Sequence, residues 1–391
     1  MSYGLYIYPW NIHDLDSDIV GIKGLGISEL NIAASYHAGK FIQPHDKVSR
    51  VYFPEDGCVY FLPRGTRYGA IKPTPAQVTR THDVLGDLCR RRDLKVNAWV
   101  VLNHNSRLGH LHAEANVVNA YGDRYVYSLC PANPDVREYA TSLCQDLSEH
   151  YDLASLLLES PGWLTYSHGY HHEFAQVPLN SWLEGMLGLC FCPYCVAEAG
   201  RQGIDAESLS ARIRARLDGY FHTDPWISAA QADRQIERDL DEDNDLGRYI
   251  DWRCGIVTSL VATIREHVRR DVRVRVISTC HLPHRAAFWE GGDLRGLYQA
   301  GDGLELPLYF KTPESAKEDA QFVLTQTGGV DKVSAILRPG FPDMTSAEQL
   351  TRTMSALGSI GIRDISFYNF GLLQERNLEW VRTSIGHIRH R

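Results

Sequence analysis

The chain has 391 residues, a formal net charge of −8 and 44% hydrophobic residues, enough apolar material for a large folded core. No basic stripe interleaved with aromatic residues occurs, which argues against nucleic acid as a partner. No apolar run could span a membrane, and the first residues pass straight into a strand pattern without a secretory signal, so a cytoplasmic location is the expectation.

The strand patterns, in chain order, are Gly4 to Tyr8, Ile27 to Ala33, Lys95 to Leu102, Leu153 to Glu159, Val272 to Ser278, Gly303 to Phe310, Lys332 to Leu337 and Asp364 to Tyr368. Helical patterns separate them. Thr74 to Arg91 opens with a capping signal, and Asn133-Pro134 starts a helix to His150. Arg248 to Arg270, Pro313 to Thr325, Thr345 to Ile360 and Leu373 to Ile388 follow, while Asp16 to Gly24 reads as a poor helix. Strands alternating with helices in this number predict an α/β fold, a closed (β/α)8 TIM barrel spanning 1–391 as one domain. The surplus length falls after strands two and four, in insertions of about 39–72 and 160–246, both on the face where barrel enzymes keep their chemistry. Within the first, Val51 to Phe53 and Val59 to Leu62 read as a hairpin around Glu55-Asp56-Gly57. The acidic run Glu237 to Asp245 reads as a solvated helix face or loop.

The fourth strand is the most informative. Leu153 to Leu158 is continuously apolar, as in a strand buried on both faces, and it delivers Glu159 to the C-terminal mouth. An apolar setting raises a carboxyl's pKa and suits it to general acid/base work. Other polar or aromatic groups fall at or after the remaining strand ends: His13, His37, His104, His281, Tyr309, Lys311, Arg338, Tyr368 and Asn369. Trp163 and the loop histidines His168, His171 and His172 follow Glu159, and at least one of these histidines is expected to face the cavity. Such a set suits a polyhydroxylated ligand, which needs directed hydrogen bonds and an aromatic platform; Trp10, Trp163, Tyr166 and Trp289 are candidates for the platform. Glycoside cleavage needs a second carboxylate opposite the acid. Glu305, Asp343, Glu173, Glu55 and Asp56 are the candidates, with Glu305 and Asp343 taken forward as catalytic partners of Glu159.

Of nine cysteines, three stand in Cys190-Phe-Cys192-Pro-Tyr-Cys195. An odd total in a chain without a secretory signal argues against a disulfide framework, and the short spacing suits a tetrahedral zinc site. Cys130, just before the third helix, is the expected fourth ligand, and Cys144 inside that helix should point into the core. No organic cofactor is expected.

These cysteines, the helix entry Cys-Pro-Ala-Asn-Pro-Asp-Val-Arg-Glu-Tyr and the fourth strand occur in an order that resembles the zinc cluster of family 42 glycoside hydrolases, β-galactosidase-like barrel enzymes, and of related uncharacterised barrel hydrolases. The resemblance covers roughly 128–202 and the strand pattern. It implies a structural zinc, a small carbohydrate or glycoside substrate and a general acid/base at Glu159. The catalytic motif departs from the family: Leu158 stands at the family's Asn, and Arg338-Pro-Gly replaces the strand-seven glutamate. A comparison with chitinase-like barrels matches Asp152 and Glu159 but finds Ser155 and Leu157 at the alternate acids, so substrate-assisted cleavage is not supported. Two other readings stay open. One is a metal-dependent sugar isomerase or aldolase, with His13, His37, His104, Glu159 and His281 around an ion and Arg338 and Lys311 holding an acidic substrate. The other is a barrel that binds carbohydrate without cleaving it. Self-association is also left open.

Overall fold

The computed structural model describes residues 2–64, 67–167, 170, 174–223, 227–279 and 287–389. Eight parallel strands form its centre: β1 Tyr3–Ile7, β2 Glu29–Tyr36, β3 Lys95–Val101, β4 Ser155–Glu159, β5 Arg273–Ile277, β6 Leu304–Pro307, β7 Val333–Leu337 and β8 Ile365–Phe367. Each pairs with its sequence neighbour, and β1 pairs with both β8 and β2, so the sheet closes on itself. Helices α1 Leu15–Gly24, α2 Val84–Arg91, α3 Pro134–His150, α4 Asn244–His267, α5 Leu294–Ala300, α6 Pro313–Thr327, α7 Ala347–Ser359 and α8 Glu375–Arg389 follow the strands in turn. The fold is a (β/α)8 barrel. Among the described residues no helix is long and apolar enough to cross a membrane.

Alternation along each strand separates two cores. Leu5, Leu30, Ile32, Leu156, Leu158, Val274, Leu304 and Leu337 face the helices and join their apolar sides in the main cluster, which also takes in Cys144. The inward side chains divide by height. Asn31, Asn97, Ser366, Glu29, Arg275, Ser334 and Glu305 fill the lower barrel with a polar network. Above it stand Tyr6, Tyr8, Tyr36, Trp99 and Leu157.

Four local expectations change. α1 is a regular helix because Asp14 caps it, its carboxylate accepting from the amides of Asp16 and Ser17, which offsets the weak propensity of the sequence. The helix expected over Thr74 to Arg91 is divided: Thr74–Pro75 is a short strand, Gln77–Thr81 a brief helix, and Asp83 opens α2 as its N-cap. The hairpin around Glu55-Asp56-Gly57 does not form. Asp56 instead accepts from the Ala38 amide, and Gly57, at φ 59°, lies so close to Asn105 that a Cβ there would sit 2.1 Å from its Oδ1. Val51–Tyr52 therefore pairs with Phe41–Ile42, and Cys58–Val59 pairs with the end of β2 and with Thr74–Pro75. Lastly, the acidic run is not wholly solvated: Asp239 and Asp243 are buried, held by Trp182, Arg212 and Arg216.

The 160–246 excursion forms helices Ser181–Leu187, Pro193–Arg201, Ala206–Phe221 and Ala229–Glu242. They pack through Trp182, Leu183, Met186, Leu209, Ile213 and Leu217 against Tyr249, Ile250 and Trp289. A third excursion follows β3 and contains an antiparallel pair, Asn116–Val118 with Arg124–Leu129. It carries Cys130 to the excursion after β4.

Candidate active site

At the C-terminal mouth of the barrel a cavity of about 460 Å³ is lined by Tyr6, Trp99, Glu159, Leu164, Ile277, Thr279, Glu290, Tyr309, Ile336, Arg338 and Tyr368 among others. Two carboxyl groups enter it from different elements. Glu159 ends β4 and is largely buried; among the described residues it accepts from the Trp99 indole N–H, 2.5 Å from Oε2. Burial raises its carboxyl and the indole bond opposes the rise, leaving it at about 7. Glu290 closes a 3₁₀ turn, Ala287–Glu290, beyond β5, and its Oε1 accepts from the Thr279 hydroxyl at 3.2 Å. Burial raises it as well, the Thr279 bond opposes and repulsion from Glu159 adds to the rise, so it too stands at about 7. Among the described residues neither carboxyl has a cation paired with it, and the Glu159 charge is one of the causes that raise Glu290.

Glu290 reaches the mouth because two loops are clasped. The Trp163 amide donates to the Glu290 carbonyl at 3.0 Å. Gly162 makes that approach sterically open, since a Cβ there would lie 1.9 Å from the same oxygen. The remaining walls are aromatic and cationic. Tyr368 donates to or accepts from Tyr8 at 3.1 Å, and the Arg338 guanidinium lies 4.7 Å from the Tyr309 ring centroid while its Nε donates to Asp343 at 2.5 Å.

Of the sequence-predicted site residues, Glu159, Arg338 and Tyr368 line this cavity, as does Tyr309. The others go elsewhere. Glu305 lies a layer below, buried, with Oε1 2.9 Å from Arg275 and Oε2 accepting from the Tyr6 hydroxyl at 2.5 Å. Asp343 is buried behind Arg338. Asn369 turns back to cap Phe370–Leu372 through the Gly371 amide. His13 is turned to Asp46, at 2.9 Å. His37 and His104 stack on each other with centroids 4.1 Å apart, in a group with Tyr36 and Tyr127. Trp163 is buried behind Glu290, and Trp10 stacks between Tyr8 and Tyr52. Glu55 is taken by the Gln77 amide. His168, His171, His172, Glu173 and His281 lie outside the described residues. Sequence reasoning missed Glu290, Trp99 and Thr279. Glu290 was recoverable only from its setting, Phe288-Trp289-Glu290 before Gly291-Gly292, an acid between bulky rings and a flexible pair.

A wider cleft of about 750 Å³ opens at the opposite end of the barrel. Its acids are already engaged, Asp83 by the Tyr151 hydroxyl at 2.9 Å and Asp152 by Arg92 at 3.4 Å.

The four cysteines form a separate centre. Cys130, Cys190, Cys192 and Cys195 are buried with all four Sγ atoms within 4.8 Å of one another, and they are the one such group of metal-ligating side chains among the described residues. Cys130 Sγ is 3.4, 3.6 and 3.9 Å from those of Cys195, Cys192 and Cys190. Tetrahedral coordination with metal–sulfur bonds of about 2.3 Å sets sulfurs roughly 3.8 Å apart, so this donor set fits a metal ion. Cys192 caps the helix Pro193–Arg201, whose first turn supplies Cys195. The Val118 amide donates to Cys190 Sγ at 3.4 Å. Neighbouring thiols pull Cys192 down, while burial pushes Cys130 and Cys195 up.

The whole chain superposes on barrels of glycoside hydrolases. The PgaB (BpsB) glycoside hydrolase domain from Bordetella bronchiseptica matches at 16% identity and a TM-score of 0.61, over 98% of this chain and 98% of that one. The catalytic domain of β-amylase from Paenibacillus polymyxa matches at 9% identity and 0.60, over 98% and 97%. Alpha-L-fucosidase isoenzyme 2 from Paenibacillus thiaminolyticus matches at 13% identity and 0.56, with 100% of this chain spanning 49% of that one. No protein-family model matches the sequence, and no curated protein does. Likeness at this level of identity establishes the shared fold.

Proposed function

We propose that the protein is a glycoside hydrolase in which Glu159 is the general acid/base and Glu290 the second carboxylate. The observation that carries this reading is the meeting of two largely buried glutamates, each raised to about 7, in one aromatic-walled cavity at the barrel mouth. Cleaving a glycosidic bond requires a proton for the departing oxygen and a negative charge on the opposite side. Repulsion disfavours ionising both groups, so near neutral pH the pair holds one proton between them, giving one acid and one base. Glu159 is assigned the acid because it sits at the end of a barrel strand with a neutral indole against it. Glu290, steadied by Thr279, is the nucleophile or the base that activates water. Tyr309, Tyr368 and Trp99 offer ring faces to a sugar, and Arg338 offers donors to its hydroxyls. The structural neighbours, barrels from enzymes that act on glycosides, agree with this class of substrate.

The cysteine centre is assigned a structural zinc, as the resemblance to family 42 implies. It would hold the excursions after β3 and β4 together and take no part in the reaction. The isomerase reading gains nothing from the described residues, since His13, His37 and His104 are not gathered around Glu159.

The test compares Glu159→Gln with Glu290→Gln on aryl glycosides of good and poor leaving groups. Loss of the acid should be severe with poor leaving groups and mild with good ones, whereas loss of the second carboxylate should be severe with both. Near-normal turnover by both variants would overturn the assignment. A folded wild-type protein that binds sugars and cleaves none would leave only a binding barrel.

A further inference from the structure

Arg253 is a charge in an unexpected place. It lies on α4 with no exposed surface, its Nε and Nη1 have no hydrogen-bond partner among the described residues, and its Nη2 makes one long bond of 3.4 Å to the Gly188 carbonyl. Among the described residues no carboxylate pairs with it. A fully buried guanidinium without a counter-charge is strongly disfavoured, which points to negative charge supplied by another route.

Its neighbours identify that route. Gly188 begins the stretch that leads into Cys190. Tyr249, one helical turn before Arg253 on α4, donates its hydroxyl to the Cys190 carbonyl. Four thiolates around one divalent ion leave a net charge of −2, in a pocket whose sulfurs are all buried. On its other face the Arg253 guanidinium lies 4.4 Å from the Trp163 ring centroid, and the Trp163 amide holds the Glu290 carbonyl.

We infer that Arg253 is a positioning residue whose charge offsets a tetrathiolate metal centre, and whose stacking on Trp163 links that centre to the segment carrying Glu290. This rests on the metal reading of the cysteine cluster. Neutralising Arg253 removes the cation that offsets the net negative charge of such a centre, so the metal is held less tightly and leaves more readily. A residue that merely fills space would be replaced as well by Met as by Lys.

The experiment uses the full chain as wild type, Arg253→Lys, Arg253→Gln and Arg253→Met. Metal per chain is measured by elemental analysis, and release to a chromogenic chelator is followed at one fixed pH. Release should be roughly tenfold or more faster for Gln and Met, and Lys should recover most of the difference. Equal release from all four proteins would overturn the proposal while leaving the metal site intact. A wild-type protein that folds without metal would overturn the metal reading itself. If Arg253→Met fails to fold, the comparison of Gln with Lys decides, because those two differ chiefly in charge.

Discussion

Glu159 and Glu305 are both inward-facing glutamates on barrel strands, and they have opposite fates. Glu305, in the lower barrel, meets Arg275 at 2.9 Å and the Tyr6 hydroxyl, so its charge is matched within the network. Glu159, at the mouth, meets an indole N–H and aromatic walls, and burial lifts it to about 7. The same side chain on the same kind of strand becomes an ion-pair partner or, on the proposed reading, a proton donor according to whether a cation stands opposite. The lower barrel is therefore a region built for stability, and the mouth a region that, on the proposed reading, gives some stability up for reactivity.

Substituting the two glutamates should separate these roles. Glu159→Gln is expected to lower turnover by roughly two to four orders of magnitude, the usual worth of a positioned acid, with folding retained. Glu305→Gln should instead lower stability, by about 3–5 kcal/mol, because Arg275 is left without its buried partner. Denaturant unfolding and steady-state rates on both variants provide the check. A Glu305→Gln protein of full stability and lost activity would reverse the comparison.

A subtler difference concerns pH. Because the folded state raises Glu159 from 4.5 to about 7, the native protein binds this proton more tightly than the unfolded chain. That contribution to stability is fully present below about 4.5, the unfolded value, and is lost as pH rises through about 7. Glu159→Gln cannot ionise, so it should be more stable than wild type at pH values of about 8 and nearly matched with it at about 4. Thermal melts across that range would show the gap opening with pH; a constant gap would mean that Glu159 is not titrating there.

The smallest expected effect is at Trp99. Its indole N–H opposes the rise of Glu159, so Trp99→Phe should move the Glu159 limb of the activity profile to higher pH while keeping a ring in the wall. A shift to lower pH would show that the indole does not bond the carboxylate during the reaction.

By itself the sequence determined the succession of strands and helices, because buried strands and amphipathic helices write their periods into short stretches of chain. It placed Glu159 at a strand mouth for the same reason, and it brought out Cys190, Cys192 and Cys195, whose grouping is local spacing. Where a cap or a turn recruited a distant partner, the local pattern misled: Asp14 made a helix of a weak segment, and Asn105 drew Gly57 out of a hairpin. The site itself depends on contacts between segments far apart in the chain. Glu290 joins Glu159 only because Gly162 lets two loops touch, and Glu305 is withdrawn only because Arg275 lies across from it on the neighbouring strand. Protonation and reactivity follow from desolvation and from the nearest charge, and both are properties of the packed barrel that no single stretch of chain contains.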